Sequence, residues 1–171
     1  YTYKGYRIGS PTEGTLNKSN IVFMMNLEIK SSKLYFIYEP DWSQVETKHV
    51  MKDGSKLKED SEMTNVIDLS KSPTFTTKRN IQKGIAPLYV TVKTADGKET
   101  TVATAKKGNP IDEYTLDLQR GLVTEVTYHY DQDLNNDGVP DYQIKEHYID
   151  ETGVEVENSK VSDHIAYNDT F

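Results

Sequence analysis

Apolar and polar residues alternate along most of this chain, with the period of two that a half-buried β-strand requires. The clearest case is LYVTVKTADGKETTVATA, where residues 88–94 and 100–105 flank Ala95-Asp96-Gly97-Lys98. Asp-Gly tolerates the positive φ of a tight turn, so this segment is predicted to be a β-hairpin. The runs IVFMMNLEI and KLYFIY, separated by Lys30-Ser31-Ser32, predict a second hairpin, and Val50-Met51-Lys52-Asp53-Gly54-Ser55 a further turn. The stretch LKEDSEMTNVIDLS is ambiguous: Ser61 or Thr64 suits a helix cap, whereas Val66 and Ile67 suit a strand.

Gly108-Asn109-Pro110 is the strongest break, since no regular element runs through such a tripeptide. It either divides a β-rich domain, residues 1–108, from a hairpin region, residues 109–171, or is a loop within one domain. Beyond it YTLDL, LVTEVTYHYD, DYQIKEHYID and VEVEN follow one another with turns at Arg120-Gly121 and Glu151-Thr152-Gly153. Short, closely spaced strands in a chain with 12 tyrosines predict an all-β fold. The expected architecture is a β-sandwich of fibronectin or immunoglobulin type, or an antiparallel meander, with a loop-closed hairpin near the C-terminus.

Composition narrows the chemistry. With no cysteine there is no disulfide, thiolate metal site or cysteine nucleophile, so a bound metal is a hard cation on oxygen or one held by the four histidines. The longest apolar run is too short for a membrane-spanning helix, so no membrane insertion is expected. A chain of 171 residues should bury roughly 70% of its unfolded surface, enough for one good core or two small ones. It opens at Tyr1 without Met or a signal-like segment, and is expected to be a mature segment or a piece of a longer protein.

The formal charge of -7 argues against a nucleic-acid partner, and its distribution is uneven. Residues 1–130 carry 18 basic and 16 acidic side chains, residues 131–171 only 2 basic and 11 acidic. Much of that excess lies in DQDLNNDGVPDY, residues 131–142. Counting from Asp133, oxygen-bearing side chains occupy positions 1, 3, 5 and 9: Asp133, Asn135, Asp137 and Asp141. Gly138 stands at position 6, where a sharp turn is needed, and the Val139 carbonyl is available at position 7. Alternate oxygens on a tight loop suit Ca2+, a hard ion that takes six to eight oxygen ligands. Asp131, next to the loop, is a further candidate ligand, ranked above Glu146.

The loop departs from an EF-hand. Position 12 is Ile144 where a bidentate Glu would stand, and the flanks read as strands rather than helices. The motif Asp133-x-Asn135-x-Asp137-Gly138-x-x-Asp141 resembles the calcium loops of thrombospondin type 3 repeats and, in its first half, those of dockerins. That resemblance covers about nine residues and implies the ion and its ligands, not a partner. If the loop closes a hairpin, Val126, Tyr128 and Tyr130 share a face with Tyr142, Ile144 and Tyr148, and the ion clamps the two strands. A loop without the position 12 carboxylate should bind at about 10⁻⁴ M, so it fills only at the roughly 1 mM calcium found outside cells. That occupancy would stabilise the fold by about 1.4 kcal/mol.

Other candidates for chemistry are thinner. His49, His129, His147 and His164 show no metal-ligand or triad spacing, and no nucleophile elbow or phosphate-cradling loop occurs. His129 and His147 border the acidic loop and would line a catalytic metal if the chain were a small hydrolase. Trp42, at a predicted turn, caps the core or presents its ring to a sugar or protein. Asn17-Lys18-Ser19 and Asn168-Asp169-Thr170 match the glycosylation sequon. In its Lys-rich polar strands, lack of Cys and ADGKE hairpin, the chain is similar to accessory β-modules of Gram-positive surface proteins. The C-terminal fibronectin-like regions of lactocepin-type cell-envelope subtilases are among these, but no protease motif is present. The expectation is a non-catalytic, calcium-binding extracellular module, secreted or cell-wall attached, that serves neighbouring domains of a larger protein. The alternative is an adhesin module for a glycan or host protein.

Overall fold

The computed structural model describes residues 1–18, 33–57, 61–167 and 169. These form β1 (Thr2–Ile8), β2 (Leu34–Glu39), β3 (Trp42–Met51), β4 (Glu62–Met63), β5 (Ile67–Asp68), β6 (Thr74–Lys78) and β7 (Ile85–Lys93). They continue with β8 (Glu99–Thr104), β9 (Glu113–Asp117), β10 (Val123–Gln132), β11 (Asp141–Tyr142), β12 (Lys145–Ile149), β13 (Glu155–Val161) and β14 (Ile165–Ala166). No helix occurs among the described residues, so the chain is all-β as its periodicity requires.

The main sheet has the order β4-β3-β10-β7-β8, with β5 also on β3. Its centre is β10, antiparallel to β7 and parallel to β3, the latter in register from Val123↔Gln44 to Tyr130↔Met51. Alternation along β10 sends Val126, Tyr128 and Tyr130 inward, all fully buried, against Val45 of β3 and Val90 of β7. The antiparallel pair β6–β9 covers this face, adding Phe75 and Leu116 to the same core. The result is sandwich-like, with one layer much wider than the other.

Two tyrosines carry hydroxyls into that core, and both find partners, as buried polar groups must. Tyr128 Oη lies 2.9 Å from Thr77 Oγ1. Tyr130 Oη accepts the Asn80 N–H at 2.7 Å and meets His49 Nδ1 at 2.8 Å.

The predicted hairpin at residues 88–105 is β7–β8, and its Asp-Gly turn closes with Gly97 at φ 80° and the Gly97 N–H on the Thr94 carbonyl. In the ambiguous stretch around residue 64 the strand tendency prevails, since β4 and β5 both pair with β3. The run IVFMMNLEI and parts of both sequons lie outside the described residues. Ala105 before Gly108-Asn109-Pro110 and Ile111, Leu116 and Val139 after it occupy one core, and β10 is the central strand.

Of the two expected all-β architectures, the parallel β3–β10 pair favours the sandwich over a purely antiparallel meander. One expectation is corrected: the strands either side of the acidic loop do not form a hairpin, since β11 pairs with β14 and β12 with β13. The reason is that β3 and β7 already occupy both edges of β10, so no ladder remains for the returning chain. Tyr142, Ile144 and Tyr148 therefore do not pair across from Val126, Tyr128 and Tyr130.

Candidate metal centre

The acidic loop leaves the end of β10 and is tied to the connection before β7. Asp133 N–H donates to the Gly84 carbonyl at 3.0 Å, and the Gly84 N–H donates back to Asn136 Oδ1 at 2.8 Å. Asn136 sits at φ 61°, a left-handed conformation that Asn tolerates better than most residues. Gly138 follows at φ 88°, and a Cβ there would come within 3.0 Å of the Arg79 guanidinium and 3.1 Å of Pro110 Cβ. Gly at the sixth position is thus demanded twice, by φ and by space.

Around this turn the side-chain oxygens converge on backbone donors. Asp133, 3% exposed, accepts the Asp137 N–H at 3.2 Å on one oxygen and the Gly138 N–H at 2.9 Å on the other. Asn135 Oδ1 also accepts from Asp137 N at 2.9 Å, and Asp137 Oδ1 from Val139 N at 2.9 Å. Asn135 Nδ2 donates to Asp137 Oδ2 at 3.2 Å. The Val139 side chain is buried in the core, and no described donor reaches its carbonyl.

Asp141 is 6% exposed, and its Oδ1 accepts the Leu134 N–H at 2.8 Å. Its Oδ2 is buried and has no hydrogen-bond partner. A buried carboxylate oxygen with no donor is costly, and its natural complement is a cation or a donor. Each carboxylate keeps lone pairs beyond those used by the N–H groups, so these contacts leave capacity for an ion. The donor set of carboxylates, an amide oxygen and a carbonyl is that of a hard divalent cation, and in kind it fits Ca2+.

The arrangement is not a closed cage. Among the described residues no three His, Asp or Glu side chains gather as they would around a bound metal. Asp133 lines a recess with Arg79, Lys83 and Asn136, whereas Asp141 lines another with Lys52, Asp131 and Tyr167. Asp131 is engaged elsewhere: Lys52 Nζ lies 3.2 Å from its Oδ2 and 5.2 Å over the Tyr167 ring. Its other oxygen takes the Gln132 N–H at 2.9 Å. That ion pair holds the Lys52 ammonium above its ordinary pKa.

The histidines bordering the loop in sequence have other partners. His129 stacks on Tyr89 at 4.3 Å, with its Nε2 3.0 Å from Thr91 Oγ1, which itself donates to Glu99 at 2.6 Å. Burial pushes its pKa below the ordinary histidine value, against the opposing pull of Glu99. His147 Nδ1 lies 2.9 Å from Glu155 Oε1 on the β12–β13 hairpin. Trp42 is half-buried at the start of β3, opposite Asp68. The anchoring role of Gly84 was not visible in the sequence, because it depends on β10 pairing with β7 across some 40 residues.

Comparison with protein-family models, with curated proteins and with solved structures finds no match.

Proposed function

We propose that this chain is a non-catalytic extracellular β-module, a spacer or accessory domain of a larger secreted or cell-surface protein, whose acidic loop holds one structural Ca2+. The observation that carries the reading is the buried Asp141 oxygen without a donor, at the ninth position of a loop whose first, third and fifth positions are also oxygen-bearing. Asp133, Asn135, Asp137, Asp141 and the Val139 carbonyl are the ligands of this reading. Asp131 joins them only by leaving Lys52. A bound ion supplies positive charge to three neighbouring carboxylates. The chain supplies the frame: Gly138 permits the turn, and Gly84 fixes the loop against the main sheet.

Tying the loop to β7 through Gly84 makes the site a brace between the central strands and the C-terminal segment, which suits a structural ion better than a switch. The extracellular placement follows from affinity, since a loop lacking a bidentate Glu fills at about 1 mM calcium and stays empty at cytosolic levels. The test is a thermal melt of the metal-stripped protein with and without 2 mM CaCl2, repeated on Asp137→Ala. At a dissociation constant of about 10⁻⁴ M the parent should gain roughly 3–6 °C, and the variant nothing. Equal melts for the parent in both buffers would reduce the loop to an acidic turn.

A second reading, an adhesin module for a glycan or host protein, draws on Tyr3, Phe36 and Tyr38 of β1–β2. Their rings cluster at 5.5–6.3 Å and are 46%, 51% and 56% exposed. Loss of ligand binding in a Tyr3→Ala, Tyr38→Ala double variant would favour it.

A further inference from the structure

The narrower layer of the sandwich ends at β6, whose backbone has a partner on one side only. Arg79 N–H donates to the Asp112 carbonyl at 3.0 Å, and Leu118 N–H to the Pro73 carbonyl at 2.9 Å. In an antiparallel ladder hydrogen-bonded pairs alternate, so residues 73, 75, 77 and 79 turn their peptide groups toward β9. Thr74, Thr76 and Lys78 therefore direct theirs to the opposite edge, where no described strand pairs with them. These donors and acceptors repeat about every 7 Å, the spacing that another extended backbone presents.

This edge opens onto a groove of about 580 Å³. Met63 and Thr64 stand on its far side, Ile81 at one end, and Thr47 and His49 of β3 beneath. Met63 is 51% and Ile81 79% exposed. Among the described residues, two strands in one layer against six in the other leave the β3 side of the sandwich without a covering strand. At the same end stands Lys78, exposed and without an ion pair among the described residues; its neighbour Arg79 is paired with Asp112 at 2.9 Å, and Glu62 lines the groove beside Met63.

We propose that this groove is a strand-addition site that takes an extended peptide segment of a partner protein, with one carboxylate placed opposite Lys78. Main-chain hydrogen bonds to Thr74, Thr76 and Lys78 supply the register, and alternate side chains enter the groove over Thr47 and His49. A carboxylate of the peptide meets Lys78, and apolar side chains rest on Met63 and Ile81. The proposal is independent of the calcium reading, because none of these groups belongs to the acidic loop.

The probe is acetyl-DEYTLDL-amide, which copies residues 112–118, the sequence that already pairs with β6 along its other edge. Backbone amide exchange is followed by NMR, and affinity by anisotropy of a labelled peptide. The expected result is that exchange at Thr74, Thr76 and Lys78 slows about tenfold or more on saturation, while the amides facing β9 keep their rates. Methylating alternate peptide nitrogens should weaken binding at least about tenfold without altering the protein, and Lys78→Glu should weaken the unmodified peptide. Three results would overturn the proposal. These are no protection at about 1 mM peptide, equal binding of the methylated peptide, or protection that appears with protein concentration alone, which would assign the edge to a second copy of this chain.

Discussion

The Leu134 N–H donates to one oxygen of Asp141 at 2.8 Å, and the other oxygen of that buried carboxylate has no donor. The hydrogen bond fixes the direction of the side chain, so the bare oxygen is held in place rather than free to swing toward solvent. Asp141→Asn keeps an acceptor for Leu134 and removes the charge. Without metal, the variant is expected to be at least as stable as the parent, because an uncompensated buried carboxylate is lost. In 2 mM CaCl2 the order should reverse. Chemical denaturation in the two buffers checks both halves of that statement.

Gly138→Ala is expected to destabilise the metal-free protein by about 1–2 kcal/mol through its left-handed backbone alone. The 3.0 Å approach to the Arg79 guanidinium adds to that cost. Urea unfolding measures the sum, and a loss of less than about 0.5 kcal/mol would show that the turn relaxes into another conformation.

Tyr130→Phe removes one oxygen that serves two neighbours, the half-buried Asn80 N–H and the buried His49 Nδ1. Losing both hydrogen bonds should cost about 1–3 kcal/mol with little change in packing volume. Asn80 exchange should quicken at the same time, which amide exchange by NMR can read. Burial raises the pKa of this phenol above the ordinary tyrosine range, so it stays protonated at any pH where the fold is studied.

The fold was legible in the sequence wherever information was local. The Asp96-Gly97 turn and its flanking strands follow from period-two alternation and one positive-φ residue. The acidic loop was also legible as a spacing of oxygens around Gly138. The strands that border the loop were misjudged because proximity in sequence suggested a hairpin. Which strands own the two edges of β10 depends on β3 and β7, a long-range competition that alternation cannot express. Asp131 illustrates the same point. It adjoins the loop, yet parallel pairing with β3 places it beside Lys52.

Stability should fall as the pH drops below about 6.5, through His129. Its pKa is lower folded than unfolded, so the folded state binds fewer protons. The stabilising contribution is complete above the unfolded value and is lost as the pH falls through the folded one. Tyr89, Thr91 and Glu99 surround the ring. Asp53, Asp68, Asp96 and Asp150 are held below the usual carboxylate range by Ser and Thr hydroxyls and backbone N–H groups, and they act in a separate, more acidic window. His129→Gln should flatten the stability profile between pH 5 and pH 7, as followed by urea midpoints. An unchanged profile would assign the slope to another histidine.

The most direct measurement is an isothermal calcium titration of the metal-stripped protein alongside Asp141→Asn. The account predicts one site per chain with a dissociation constant near 10⁻⁴ M in the parent, weakened at least about tenfold in the variant. No calcium binding by the parent up to about 10 mM, or equal binding by both proteins, would contradict it.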